Sequence, residues 1–200
     1  PRFHKLYGEP RIFDDLLSSQ PMCFNLFGPL ALDLEAASRV ARRLWPDRVD
    51  TVTAVRFEHS PGRGDPTYLD NRSAADALIE HTTPSGGVGI IAIETKYHED
   101  LRGSSKEAIE KVKAKARYGE VAEASGVFRS PTDEALRESP LWQIWVDHLL
   151  ALAWQQADGL DAALFVLAYP ALNLAVDRAA GSYAACLVDG DDSFQALTLE

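Results

Sequence analysis

Cysteine is scarce: only Cys23 and Cys186 occur in 200 residues, far apart and outside any CxxC spacing. That excludes a disulfide framework. Together with five scattered histidines, it also excludes a structural zinc site of the usual ligand spacing. Both cysteines sit in apolar surroundings, as reduced core thiols of a cytoplasmic protein do. Long hydrophobic runs are missing as well. Nothing approaches the roughly 20 apolar residues that span a bilayer, so no contact with a membrane is expected. The opening stretch PRFHKLYGEPRIFDD holds no apolar signal core, so the expectation is a cytoplasmic protein rather than a secreted one. Positive charge is short too. Lys and Arg number 20 against 30 Asp and Glu, a net charge of −10, which argues against indiscriminate nucleic-acid binding.

What is present is an ordinary globular composition, 46% hydrophobic and 25% charged, in a chain long enough for one sizeable core. No repeat, low-complexity segment or linker interrupts it, so residues 1–200 are read as a single domain. The charge is uneven. Arg102 to Arg117 carries a surplus of four positive charges, whereas Gln156 to Glu200 carries a surplus of six negative ones. A basic face beside an acidic one is compatible with a phosphate-bearing partner.

The periodicities predict an order of elements. Leu30 to Trp45 has helical spacing with Asp33 near its start, and Pro46 stops it. Asp50 to His59 is β-branched and alternating, a strand. SPGRGDPTYLDNR is a loop. Ser73 to His81 reads as a second strand, although its alanines also suit a helix. TTPSGG is a turn, and Val88 to Tyr97 a third strand. Helices follow over Ser104 to Ala124 and Ser139 to Gln156, then an apolar strand over Asp161 to Pro170. A helix near Ala171 to Ala180 and short strands near Tyr183 to Val188 and Phe194 to Leu199 close the chain. The class is α/β: a mixed central sheet, with a three-strand antiparallel meander, flanked by helices.

The segment GIIAIETKYHED carries the chemistry. Residues two apart on a strand share a face, so Ile90, Ala92, Glu94 and Lys96 form one row and Ile91, Ile93, Thr95 and Tyr97 the other. An apolar row that turns into a carboxylate and an amine at its C-terminal end emerges there into a cleft or into solvent. There a lysine can orient or deprotonate a water while the carboxylate holds a divalent cation. Such a cation needs further oxygen ligands, and Asp76 on the preceding strand is the natural source if the turn at Thr82 to Gly87 closes a hairpin.

An acidic residue on one strand followed by Glu-x-Lys on the next resembles the PD-(D/E)XK, or restriction-endonuclease-like, nuclease superfamily. The order of helix, three-strand meander, helices and strand is that superfamily's core. The wording LLSSQPMCFNLFGPL, FEHSPGRGD, RSAADALIE and IAIETKYHEDL is similar to a bacterial family of such nucleases, over roughly Leu16 to Leu101. The resemblance implies Asp76 and Glu94 as metal ligands, Lys96 as the residue that positions or activates the attacking water, and the Thr95 carbonyl as a further oxygen ligand. Ala75 stands where the superfamily's name has proline. The implied activity is hydrolysis of phosphodiester bonds, of DNA first. Mg²⁺, or alternatively Mn²⁺, is the implied cofactor, since hard oxygens suit Mg²⁺ and no thiolate set selects zinc. The implied partner is nucleic acid, with a homodimer or partner protein helping an acidic enzyme hold it.

Each signal has a plainer reading. Glu94 and Lys96 could be a strand-end salt bridge, and Asp76 a turn-facing polar residue. Glu58 reads as a polar strand end or a supporting ligand, and Glu80 as a solvent-facing residue near the turn. Gln143 and Gln20 are rival amides for the site, each equally suited to a surface. Trp142, Trp145 and Trp154 read as core before base-stacking platforms. His98 and Glu99 read as a solvated turn, and Lys111, Lys113 and Lys115 as diffuse attraction for phosphate. Arg63, in SPGRGD, could approach a nucleic-acid backbone. A catalytically inactive binding or scaffold domain on the same fold is the main alternative. A two-carboxylate glycosidase is disfavoured by the lysine beside Glu94 and by the lack of an aromatic sugar cleft.

Overall fold

The protein is described from a computed structural model over residues 18–101 and 115–200. The first helix, α1 (Ser19–Leu32), starts where the Ser18 hydroxyl accepts from the Gln20 N–H. It ends at Asp33, whose extended backbone leaves the helix and whose carboxylate accepts from the Ala36 N–H at 2.9 Å. Asp33 therefore caps a new helix, α2 (Leu34–Leu44). The single helix expected over Leu30 to Trp45 is in fact two, because a carboxylate that can cap an N-terminus competes with continuing through it.

Strands β1 (Thr51–His59), β2 (Ala75–Thr82) and β3 (Val88–Thr95) form the meander. The chain then runs through α3 (Ala116–Ser125), a short 3₁₀ turn and the long α4 (Leu141–Asp158) before β4 (Ala162–Pro170). Helix α5 (Leu174–Ala184) and β5 (Phe194–Leu199) complete the fold. The sheet order is β1-β2-β3-β4-β5, antiparallel up to β3 and parallel from β3 to β5. The expected helix over Ser104 to Ala124 falls partly outside the described residues, and its remainder is α3. The strand expected near Tyr183 to Val188 is instead the end of α5 followed by one isolated bridge, Leu187 to Phe128. Asn173 explains the late start of α5, since its side chain accepts from the Val176 N–H and caps the helix there.

Two cores sandwich the sheet, as the two rows of β3 require. Ile90 and Ala92 join Leu78, Phe165, Leu167 and the α3 and α4 side chains on one face. Ile91 and Ile93 join Ala77, Ile79, Leu164, Val166 and the α1 and α2 side chains on the other. Trp142, Trp145 and Trp154 are all buried, so the core reading holds for the three. Cys23 is buried, but Cys186 is only partly so and lies at the margin of the core; both are free thiols. No helix among the described residues is long and apolar enough to cross a membrane.

A polar residue sits deep in the larger core. His148 on α4 is fully buried, with Nδ1 2.9 Å from the Tyr183 hydroxyl and Nε2 3.0 Å from Ser193 Oγ. Asp191 accepts from that same serine hydroxyl at 2.8 Å. Both ring nitrogens are satisfied with the imidazole neutral, and burial lowers its pKa from 6.5 to about 3. The unfolded chain therefore binds a proton that the folded chain refuses. Stability present above pH 6.5 is lost as pH falls toward 3. Thermal melts should show this acid-side loss, with a slope from His148 of about 1 kcal/mol per pH unit. A His148→Gln variant should start less stable and decline less steeply over the same interval.

Candidate active site

Register brings the charged residues together. Leu78 opposes Ala92 and Ala77 opposes Ile93, so Asp76 and Glu94 fall where the next rung of the antiparallel ladder would be. The ladder stops short of that rung. Asp76 Oδ2 instead accepts from the Thr95 N–H at 2.9 Å and from the Thr95 hydroxyl at 2.7 Å. On the other side of β3, the Lys96 N–H donates to the Ala168 carbonyl at 2.9 Å. Parallel pairing would return a bond from residue 170, but Pro170 has no N–H to give. Pairing with β2 therefore gives out at the rung of Glu94, whereas pairing with β4 runs on through Glu94 and Thr95 and ends at Lys96.

Glu94 and Lys96 are nonetheless buried, each 8% exposed. Lys96 Nζ donates to Glu94 Oε1 at 2.5 Å, and Gln143 Nε2 on α4 donates to the same oxygen at 2.9 Å. Of the two rival glutamines, Gln143 is thus the one whose side chain reaches Glu94. Gln20 lies in the first turn of α1. Among the described residues, hydrogen bonds engage Oε1 of Glu94 and Oδ2 of Asp76, leaving Glu94 Oε2 and Asp76 Oδ1 without one.

The electrostatics follow from burial and crowding. Burial pushes Glu94 up to about 7, with the Lys96 ammonium pulling it down and Asp76 and Glu58 adding to the rise. For Lys96, burial works to lower the pKa. The Glu94 carboxylate, with Asp147 and Asp76 behind it, holds the ammonium above its ordinary value, so it stays protonated. Asp147 lies one helical turn beyond Gln143 on α4, and the sequence reading passed over it. Its Oδ2 is buried with no hydrogen-bond partner. Burial first, then the Glu94 charge, pushes its pKa well above the usual carboxylate range, with Lys96 opposing. A single aspartate on an apolar helix carries no pattern of its own, but its i, i+4 relation to Gln143 was the signal available. The nearby Cys23 thiol is pushed up by burial and then by Asp76, and stays protonated.

The remaining residues fall into place around this cluster. Glu58 ends β1 with a φ of +47°, unusual for a residue other than glycine. Arg63 folds back to donate to the Glu58 carbonyl at 2.9 Å and lies 4.0 Å from its carboxylate. Glu80 sits within β2 rather than at the turn, and it accepts from Arg56 across the strands at 2.6 Å. Glu99 is not in a solvated turn. Half-buried, it accepts from the Ser19 N–H at 2.7 Å and the Tyr97 N–H at 3.0 Å, joining the start of α1 to the loop after β3. Lys115 is tied to the Asp70 carboxylate at 2.7 Å, while Lys111 and Lys113 lie outside the described residues. Among the described residues, no three acidic, histidine or cysteine side chains are gathered closely enough to cage an ion.

The family model of the PD-(D/E)XK nuclease superfamily matches residues 2–200. The chain belongs to this superfamily. No curated protein and no solved structure matches it. The five-stranded mixed sheet with helices on both faces is the restriction-endonuclease-like fold of the PD-(D/E)XK proteins. Within this PD-(D/E)XK chain the Glu94–Lys96 pair is an asymmetric one. Glu94 without its lysine keeps the Gln143 donor and can take up a proton near neutrality, whereas Lys96 without Glu94 loses the acceptor on which its buried ammonium rests. Glu94→Ala should therefore cost about 3–5 kcal/mol in urea unfolding. Lys96→Ala should cost clearly less, and the opposite ranking would contradict this account of the pair.

Proposed function

We propose that this protein is a metal-dependent nuclease that hydrolyses phosphodiester bonds, in DNA first. The observation that carries the reading is the buried Glu94–Lys96 pair on β3, with Asp76 brought beside it from the neighbouring strand. The donor set fits a hard divalent cation. Asp76 Oδ1 and Glu94 Oε2 are carboxylate oxygens without hydrogen bonds among the described residues, and Asp147 adds a buried oxygen with no hydrogen-bond partner. Asp76 and Glu94 would hold Mg²⁺, or Mn²⁺ in its place. Thr95 would add its carbonyl, which shares the strand edge of its N–H and so faces Asp76. Bound there, the ion would supply charge neutralisation at the phosphate and a more acidic water. Lys96, kept protonated, would orient that water and meet the developing negative charge. Gln143 would steady Glu94 without adding charge.

The alternative, a nuclease-like binding or scaffold domain without turnover, draws on the net charge of −10, which opposes capture of a polyanion. Incubation with plasmid, single-stranded DNA and RNA, with Mg²⁺ or with chelator, separates the two. Cleavage should require the metal and fall by about 10²–10³-fold in Lys96→Ala and in Asp76→Ala, with circular dichroism unchanged. Undiminished cleavage by either variant would remove these residues from the mechanism, and no cleavage of any substrate would favour the scaffold. Because a cation must displace the proton that burial favours on Glu94, calorimetric Mg²⁺ affinity should strengthen as pH rises through about 7.

A further inference from the structure

Lys96 faces a conflict of duties that the resting structure leaves open. Its ammonium is spent on Glu94 Oε1, the carboxylate assigned above to the cation. A divalent ion on Glu94 brings a second positive charge against that ammonium, and like charges in a buried place repel strongly. A shift of the ammonium toward another acceptor relieves that repulsion.

The site contains such an acceptor. Asp147 Oδ2 is buried and has no hydrogen-bond partner, a state that native proteins rarely leave unexplained. It belongs to α4, the helix that packs over β3 and whose Gln143, one turn earlier, reaches Glu94. One turn from Gln143, it lies on the same face of α4 as the amide that touches Glu94, the residue on which the Lys96 ammonium rests. A role as a third cage ligand fits less well, since no three carboxylates converge closely enough among the described residues.

We propose that Asp147 is a positioning residue, the second seat of the Lys96 ammonium, which receives Nζ when a divalent cation occupies Glu94. This rests on the nuclease reading above. In the metal-free protein Lys96 pairs with Glu94 and Asp147 carries the unmet oxygen. In the loaded protein the cation satisfies Glu94 and the lysine satisfies Asp147, so the oxygen that lacks a partner without the metal gains one. The exchange keeps the ammonium beside the ion, within range of a water, rather than locked on a metal ligand.

The test is a double-mutant cycle read in metal affinity rather than in cleavage. Mg²⁺ and Mn²⁺ are titrated calorimetrically into the full chain, Asp147→Asn, Lys96→Met and the double variant, with metal-free melting curves as the check on folding. Asp147→Asn should weaken binding about ten-fold or more, and that loss should vanish in the Lys96→Met background. Asp147→Glu should restore much of the affinity. Should the amide not be accommodated, Asp147→Ser gives the same comparison. Equal affinity of Asp147→Asn and the native chain overturns the proposal while leaving the nuclease reading intact. A loss of equal size in both lysine backgrounds makes Asp147 a direct ligand and also overturns it. Failure of the native chain to bind either metal removes this proposal and the nuclease reading together.

Discussion

Burial of a carboxylate and an ammonium at the end of an otherwise apolar strand is the constraint on which this site depends. Ions of this kind leave water only if something else holds them, and the desolvation cost is several kcal/mol per ion. Here Glu94 is held by Lys96 and Gln143, while Asp76 is held by Thr95. The negative charges still outnumber the positive one, and burial lifts Glu94 and Asp147 as a result. Such a cluster is stabilised by gaining a cation or a proton, which is a chemical property of the fold before it is a catalytic one.

The sheet provides this arrangement through where its pairing ends. β3 is paired on both sides along its apolar length, with β2 antiparallel and β4 parallel. At the charged end, β2 turns its aspartate side chain onto the Thr95 N–H, and β4 ends in a proline. On the β2 side main-chain pairing therefore gives way to a side-chain bond at Thr95, while on the β4 side it continues through Thr95 and ends beyond it. The helices that cover the two faces then supply Gln143 and Asp147 from one side and Cys23 from the other.

Much of this was legible in the residues. The four longer strands announced themselves by alternation or by unbroken apolar character, and the Glu-x-Lys spacing fixed a shared face for Glu94 and Lys96. The antiparallel turn then placed Asp76 within reach. What was not legible depended on competition or on tertiary context. Asp33 fits a helical pattern, yet it caps a new helix because a carboxylate at that point satisfies orphan N–H groups. Glu99 looked like a polar turn residue, and its bond to the Ser19 N–H appears only once α1 packs against that loop. Asp147 lay in a segment read for its tryptophans and its glutamine. Its i, i+4 spacing from Gln143 was the one local hint that it is not a surface aspartate.

The link between Glu99 and Ser19 has a mechanical meaning. The Ser19 N–H is gripped by the loop that follows β3, and its carbonyl lies 3.4 Å from the Thr95 hydroxyl that also serves Asp76. Helix α1 is thereby moored to the charged end of the sheet at its very first residue. The single Thr95 hydroxyl proton can go to Ser19 or to Asp76, and the shorter distance gives it to Asp76, so a tilt of that helix would be felt first at Glu99.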